Sequence, residues 1–277
     1  MDQDSFRAPT SSTQRARLLA RHPGLTFLLP FVVYMVIGSL EPAPPKPIAQ
    51  ETQEAVSPEV RQLMADGEPN RFGLRYKHYP FVYTVKIVLT IAAIVWVLPG
   101  YREFPFRISP LAIGVGVVGV VLWIGLCHLE LERRLLGPLG LKWLLGLGER
   151  PAYNPLEALR DTPAWAYAFL AIRFVGLALV VPVIEEFFLR GFFMRLAISE
   201  RWWEVPFGAL TPLAAVVGTL FPMLMHPAEL VAAAVWFSLV TWLMHKTRNI
   251  WDCVAAHAVT NFLLGLYVVT QGQWQLW

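Results

Sequence analysis

Two adjacent carboxylates, Glu185 and Glu186, stand inside an otherwise apolar run from Val183 to Phe193, and Arg190 follows four residues after Glu186. In lipid such residues are costly, by roughly 2.5–3.5 kcal/mol each on insertion scales. A chain that keeps three of them together has a use for them. Neighbours on a helix point about 100° apart, so the two glutamates face different surroundings. Glu186 and Arg190 share a face and pair favourably in that order, which predicts a supporting ion pair. Glu185 points elsewhere, toward groups on other helices. The candidates are His226, and His257 with Asn261, which lie one helical turn apart on one face. A carboxylate, two imidazoles and an amide in a pocket of low polarity can hydrolyse without a nucleophilic side chain. The carboxylate takes a proton from water, an imidazole orients that water, and imidazole and amide donors hold the oxyanion.

Plainer readings exist for each residue. His226, just before Pro227, suits a helix end, and His257 with Asn261 suits hydrogen bonding between membrane helices. Glu185, His226 and His257 are also all possible zinc ligands, and their spacing leaves a metal open. No cofactor is required by the chemistry above. A His-Glu-x-x-His helix and a Gly-x-Ser-x-Gly elbow are both missing from the sequence. His128, Glu130 and Glu132 read as a polar edge at the membrane interface.

The elements that must position these residues are membrane helices. Of 277 residues, 56% are hydrophobic and 16% charged, against about 25% charged in a soluble domain. Several apolar runs approach the ~20 residues a span needs, which predicts an all-α, polytopic bundle of about 7–8 membrane helices. A net charge of +3 gives no argument for nucleic acid. Cys127 and Cys253 fall in expected spans as small buried side chains. Residues 1–22 form a basic tail. Residues 23–163 hold N-terminal membrane helices, with a linker at 41–78 and an interfacial amphipathic segment at 128–163. Residues 164–277 form the core that carries the chemistry. Spans are expected at 24–40, 79–98, 108–127, 164–184 (continuing as helix to about 198), 205–225, 229–244 and 250–270. Lys86, inside the second span, either snorkels to the interface or pairs inside the bundle. Gly114, Gly116 and Gly119 in the third suggest close helix packing. A short helix is expected after Ser57, and another after Asn154. Trp274 and Trp277 suit an interfacial anchor.

The order Glu-Glu-x-x-x-Arg (Glu185, Glu186, Arg190), then His226, then His-x-x-x-Asn (His257, Asn261) resembles the CPBP family of intramembrane proteases. That family includes the CAAX prenyl endopeptidases and bacteriocin-immunity relatives. The resemblance covers roughly residues 164–270. One motif departs: the family has Phe-x-x-x-His, and here Pro222 stands four before His226, with Phe221 five before. His245 is the rival histidine, with Thr241 four before it. The resemblance implies that Glu185 activates water with His226, that His257 and Asn261 hold the oxyanion, and that Glu186 and Arg190 support the site. The end of the chain, from His257 to Trp277, looks like the CAAX-protease-related proteins found beside exosortase (PEP-CTERM) sorting systems.

The expectation is therefore an endopeptidase of the membrane acting on a membrane-associated protein or peptide, in a bacterial inner membrane and with a link to protein sorting. The runner-up is a non-catalytic immunity or sorting-accessory protein of the same fold. A transporter using Glu185 and Arg190 ranks third, because no repeated half is visible.

Overall fold

Prolines and short polar side chains mark where the helices start, in a computed structural model that describes residues 11–45, 57, 67–136, 138 and 152–277. Helix α1 is Ser11–Arg21 and α2 is Gly24–Gly38. Helix α3 is Tyr79–Tyr101, entered through a 3₁₀ turn at Tyr76–His78, and α4 is Pro110–His128. Two short helices follow, α5 at Leu131–Leu136 and α6 at Pro155–Ala158. Helix α7 runs without a break over Pro163–Leu196. Helices α8 (Pro212–Met225), α9 (Leu230–Thr247) and α10 (Ile250–Gln271) complete the bundle. Among the described residues there is no strand.

The caps follow from the sequence. Ser109 accepts from the Ala112 N–H ahead of Pro110, and Thr211 accepts from Ala214 ahead of Pro212. Asn249 caps α10 through Trp251, and Asn154 caps α6 through Leu156, as expected. These side chains satisfy amide groups that a helix start leaves without partners, and proline at the first helical position loses no hydrogen bond.

Five helices are long and apolar enough to cross a membrane, or up to six if a bent pair counts as one span. The chain is thus a polytopic membrane protein, but the expected 7–8 membrane helices are corrected downward at two places. The first expected span, 24–40, is α2 with only 15 residues, bent by 94° from α1 at His22 and Pro23. The fifth, 205–225, loses its first turns. Pro206 and Gly208 (φ +87°) hold a turn there, and helix begins only at Pro212. Fifteen and fourteen residues rise about 21–23 Å, short of the ~30 Å hydrocarbon core. Part of the basic tail, Ser11–Arg21, is helical. The helix expected after Ser57, and residues 137 and 139–151 of the expected interfacial segment, lie outside the described residues.

Small residues bring the spans together. A Cβ on Gly116 would lie 2.7 Å from the Val259 side chain and 2.8 Å from the Ala256 carbonyl, and one on Gly119 would meet Trp236 and Thr260. Thr260 also donates to the Gly116 carbonyl at 2.9 Å. Helices α4 and α10 therefore touch backbone to backbone, while Gly114 faces open space. Lys86 does not snorkel. It is buried, 2.6 Å from Glu41, with its ammonium over the rings of Tyr34 and Tyr83.

The spans alternate in direction. Asn249 donates to the Arg107 carbonyl and Asp252 accepts from the Ser109 N–H, so the starts of α4 and α10 share one end of the bundle. At the other end His128 meets Tyr267, and Glu132 of α5 accepts from the Val231 N–H, closing the start of α9. His128 and Glu132 thus sit in an edge of polar contacts.

Candidate active site

The acidic motif lies between two irregular stretches of α7. Gly176–Val180 and Phe187–Phe193 are π-helical, with α-helical Val181–Glu186 between them. Such bulges shift the helical phase and recur at functional sites. Their cause here is partly local. Pro182 has no N–H to give, and the Val181 N–H goes to Gly176. The Leu177 carbonyl is thereby open to another helix, and Asn261 Nδ2 of α10 donates to it at 2.8 Å. A proline inside α7 thus fixes the amide of α10.

Glu186 and Arg190 are fully buried and paired, as their spacing predicted. The pair does more than neutralise itself. The second Glu186 oxygen accepts from His257 Nδ1 at 2.9 Å, and Arg190 Nη2 donates to the Phe237 carbonyl at 3.2 Å. A carboxylate only accepts, so His257 carries its proton on Nδ1 and turns Nε2 away from Glu186. Helices α7, α9 and α10 are tied at one point by this chain of contacts.

Beside it lies a cavity of about 250 Å³. Glu185, His226, His257 and Asn261 all line it, from two helices and the end of a third. Glu185 and Glu186 face different surroundings, as their angular separation requires: Glu185 is on the cavity wall and Glu186 is sealed behind His257. His226 caps the C-terminal end of α8, where its Nδ1 donates to the Pro222 carbonyl at 2.8 Å. The proline that breaks the Phe-x-x-x-His pattern therefore supplies the acceptor that orients the histidine. The aromatic backing comes from elsewhere, with Trp123 and Phe237 at ring-centroid distances of 5.7 and 5.5 Å. The rival His245 is outside this cavity and bonds the Gly208 carbonyl.

Glu185, His226 and His257 border the cavity without converging as a metal site. Among the described residues no group of three or more His, Cys, Asp or Glu side chains is arranged to hold a metal ion.

Residues 167–263 match the sequence profile of the family described as type II CAAX prenyl endopeptidase Rce1-like. This stretch is a CAAX-protease family domain. It takes in Glu185, Glu186, Arg190, His226, His257 and Asn261. No curated protein and no solved structure gives a significant match. Five residues of the cavity wall lie outside the domain: Tyr34, Trp123, Leu264, Leu276 and Trp277.

Sequence reasoning passed over Tyr34 and Trp123, whose aromatic types carried no signal among so many others. It also passed over Arg173, which did carry one, as a lone cation inside the apolar run 164–184. Arg173 is buried and donates to the Tyr153 and Trp277 carbonyls, both at 3.0 Å. Trp274 and Trp277 are not interfacial anchors. Both are buried, and Trp277 packs on Phe174 with ring centroids 4.8 Å apart.

Proposed function

We propose that the protein is a glutamate-dependent intramembrane endopeptidase that hydrolyses a peptide bond of a membrane-associated protein. The observation that carries this reading is the convergence of Glu185, His226, His257 and Asn261 on one cavity, although up to 76 residues separate them in the chain. Glu185 is the base that takes a proton from water. His226, held through Nδ1, turns Nε2 to that water and orients it. Asn261, anchored to Leu177 by one N–H, has its second N–H for the carbonyl oxygen. His257, when protonated on both nitrogens, gives that oxygen a second donor and a positive charge, with Glu186 behind it as counter-charge. Charge develops on the oxygen in the transition state, and donors fixed in advance in a water-poor site stabilise it there. Glu185 then passes its proton to the leaving amine. Glu186 and Arg190 act through His257 and touch no reacting atom.

The domain match supports a peptidase, and the membrane bundle supports a membrane-associated substrate. The bacterial inner membrane and the link to a protein-sorting system rest on the resemblance of the chain end alone. The test uses purified protein in lipid nanodiscs, incubated with a peptide mixture prepared from membrane proteins. New termini at defined positions are expected with wild type and not with Glu185→Gln. Defined termini that form equally with both proteins sink the mechanism, and a wild type that makes none supports the non-catalytic accessory reading.

A further inference from the structure

The cavity is closed on one side by a strap. Helix α10 ends at Gly272, in the left-handed region at φ +67° with open space around its Cβ position. The chain then reverses. The N–H groups of Gly272 and Gln273 both return to the Val268 carbonyl, and a 3₁₀ turn at Trp274–Leu276 brings Leu276 and Trp277 onto the cavity wall. Two side chains of α7 hold the far end of this strap: the Arg173 guanidinium holds the Trp277 main-chain oxygen and lies 4.8 Å over the Trp277 ring, and Phe174 packs on that ring with centroids 4.8 Å apart.

Two features of the closed arrangement favour a movable strap. First, the cavity of about 250 Å³ is smaller than the ~300–1,000 Å³ that sites for drug-sized ligands occupy. A peptide bond with its flanking residues is a guest of at least that size, and displacing the strap widens the cavity for it. Second, the closed strap leaves donors unmatched. Trp277 Nε1 and Arg173 Nε are both buried with no hydrogen-bond partner. Buried unpaired donors are costly, and opening toward water or a guest relieves them. The spans themselves are clamped by glycine contacts and by the Glu186 chain of bonds. Among the described residues the strap's polar hold on α7 is Arg173, beside the ring contact with Phe174, and its base is a glycine.

We propose that residues 272–277 are the gate of this cavity and that Arg173 is the positioning residue that latches it. The identity of the guest as a peptide rests on the peptidase reading, but the gate itself does not. When the strap swings about Gly272, Trp277 leaves the wall and the side of the cavity nearest Asn261 and Leu264 opens.

The test reads access and strap opening without using cleavage. The full chain carries Val181→Cys as a reporter on the cavity wall, with Cys127 and Cys253 replaced by alanine. N-Ethylmaleimide labelling is timed with and without Arg173→Gln, and hydrogen exchange is followed by mass spectrometry. Loss of one charge-assisted hydrogen bond is expected to speed labelling about tenfold and to raise exchange at 273–277, with α9 and α10 unchanged. Arg173→Lys, which keeps the charge but not the two-point hold, is expected to fall between. In the unsubstituted protein, amides at 273–277 are expected to exchange faster than those at 264–271, a readout that survives if the variants fail to fold. Equal labelling rates with and without Arg173→Gln overturn the proposal, as does strap exchange as slow as that of α10. Cleavage that persists with a static strap refutes the gate alone. A moving strap with no cleavage refutes the peptidase alone.

Discussion

Replacing Arg190 by methionine strands a carboxylate. Glu186 and Arg190 have no exposed surface, and Glu186 keeps only His257 as a partner once the guanidinium is gone. Opposite charges about 4 Å apart attract by about 4 kcal/mol at an effective dielectric constant of 20. Breaking a buried pair from one side costs about 3–5 kcal/mol, because the remaining charge has no water to turn to. At about 2–4 °C per kcal/mol for a chain of this size, Arg190→Met is expected to lower the melting temperature by about 6–20 °C. The double variant Glu186→Leu/Arg190→Met removes both charges together. It is expected to fall within about 1 kcal/mol of wild type or to exceed it, while any hydrolysis is lost because nothing holds His257 Nδ1. Thermal unfolding of the three proteins in one detergent checks this. An Arg190→Met protein as stable as wild type, or a double variant as unstable as the single, refutes the reasoning.

Other outcomes follow from the same contacts. Gly116→Val is expected to destabilise by about 1–3 kcal/mol, since its Cβ would strike Val259 and the Ala256 carbonyl, whereas Gly114→Ala is expected to be neutral in the same melting assay. Asn261→Ala is expected to lower the turnover rate by about 10²–10³-fold with little change in KM, the signature of a lost oxyanion donor. Pro182→Ala restores an N–H that competes with Asn261 for the Leu177 carbonyl. It is expected to cut turnover by about tenfold while leaving the melting temperature within a few degrees. Lys86→Met leaves Glu41 partly exposed and able to hydrate, so the expected loss is only about 1–2 kcal/mol, mostly the two ring contacts.

Glu185, His226, His257 and Asn261 were legible as candidates because lipid makes polar and charged side chains conspicuous. Glu185, Glu186 and Arg190 stood out against phenylalanine and leucine, and the four-residue spacings of Glu186 with Arg190 and His257 with Asn261 gave the shared faces. What could not be read was how these faces meet. The bond between Glu186 and His257 joins positions 71 apart and depends on the helix crossings. The π-helical stretches leave no mark in hydropathy, because a bulge changes phase and not composition. The count of spans failed for a similar reason. Hydropathy over 205–225 is high throughout, yet Pro206, Gly208 and Pro212 decide that the helix starts late. Trp277 was read as an interfacial anchor because an indole near a span end suits that place. Its real position follows from the turn at Gly272 and from Arg173, a contact between residues 104 apart.

The central claim is that Glu185 drives hydrolysis in this cavity. Its most direct test compares peptide termini in membranes from cells making wild type or Glu185→Gln at equal levels. The expected result is a defined set of cleavage products present with wild type and missing with the variant, which also names the substrate. Identical termini in the two membranes, with both proteins folded and inserted, contradict the claim.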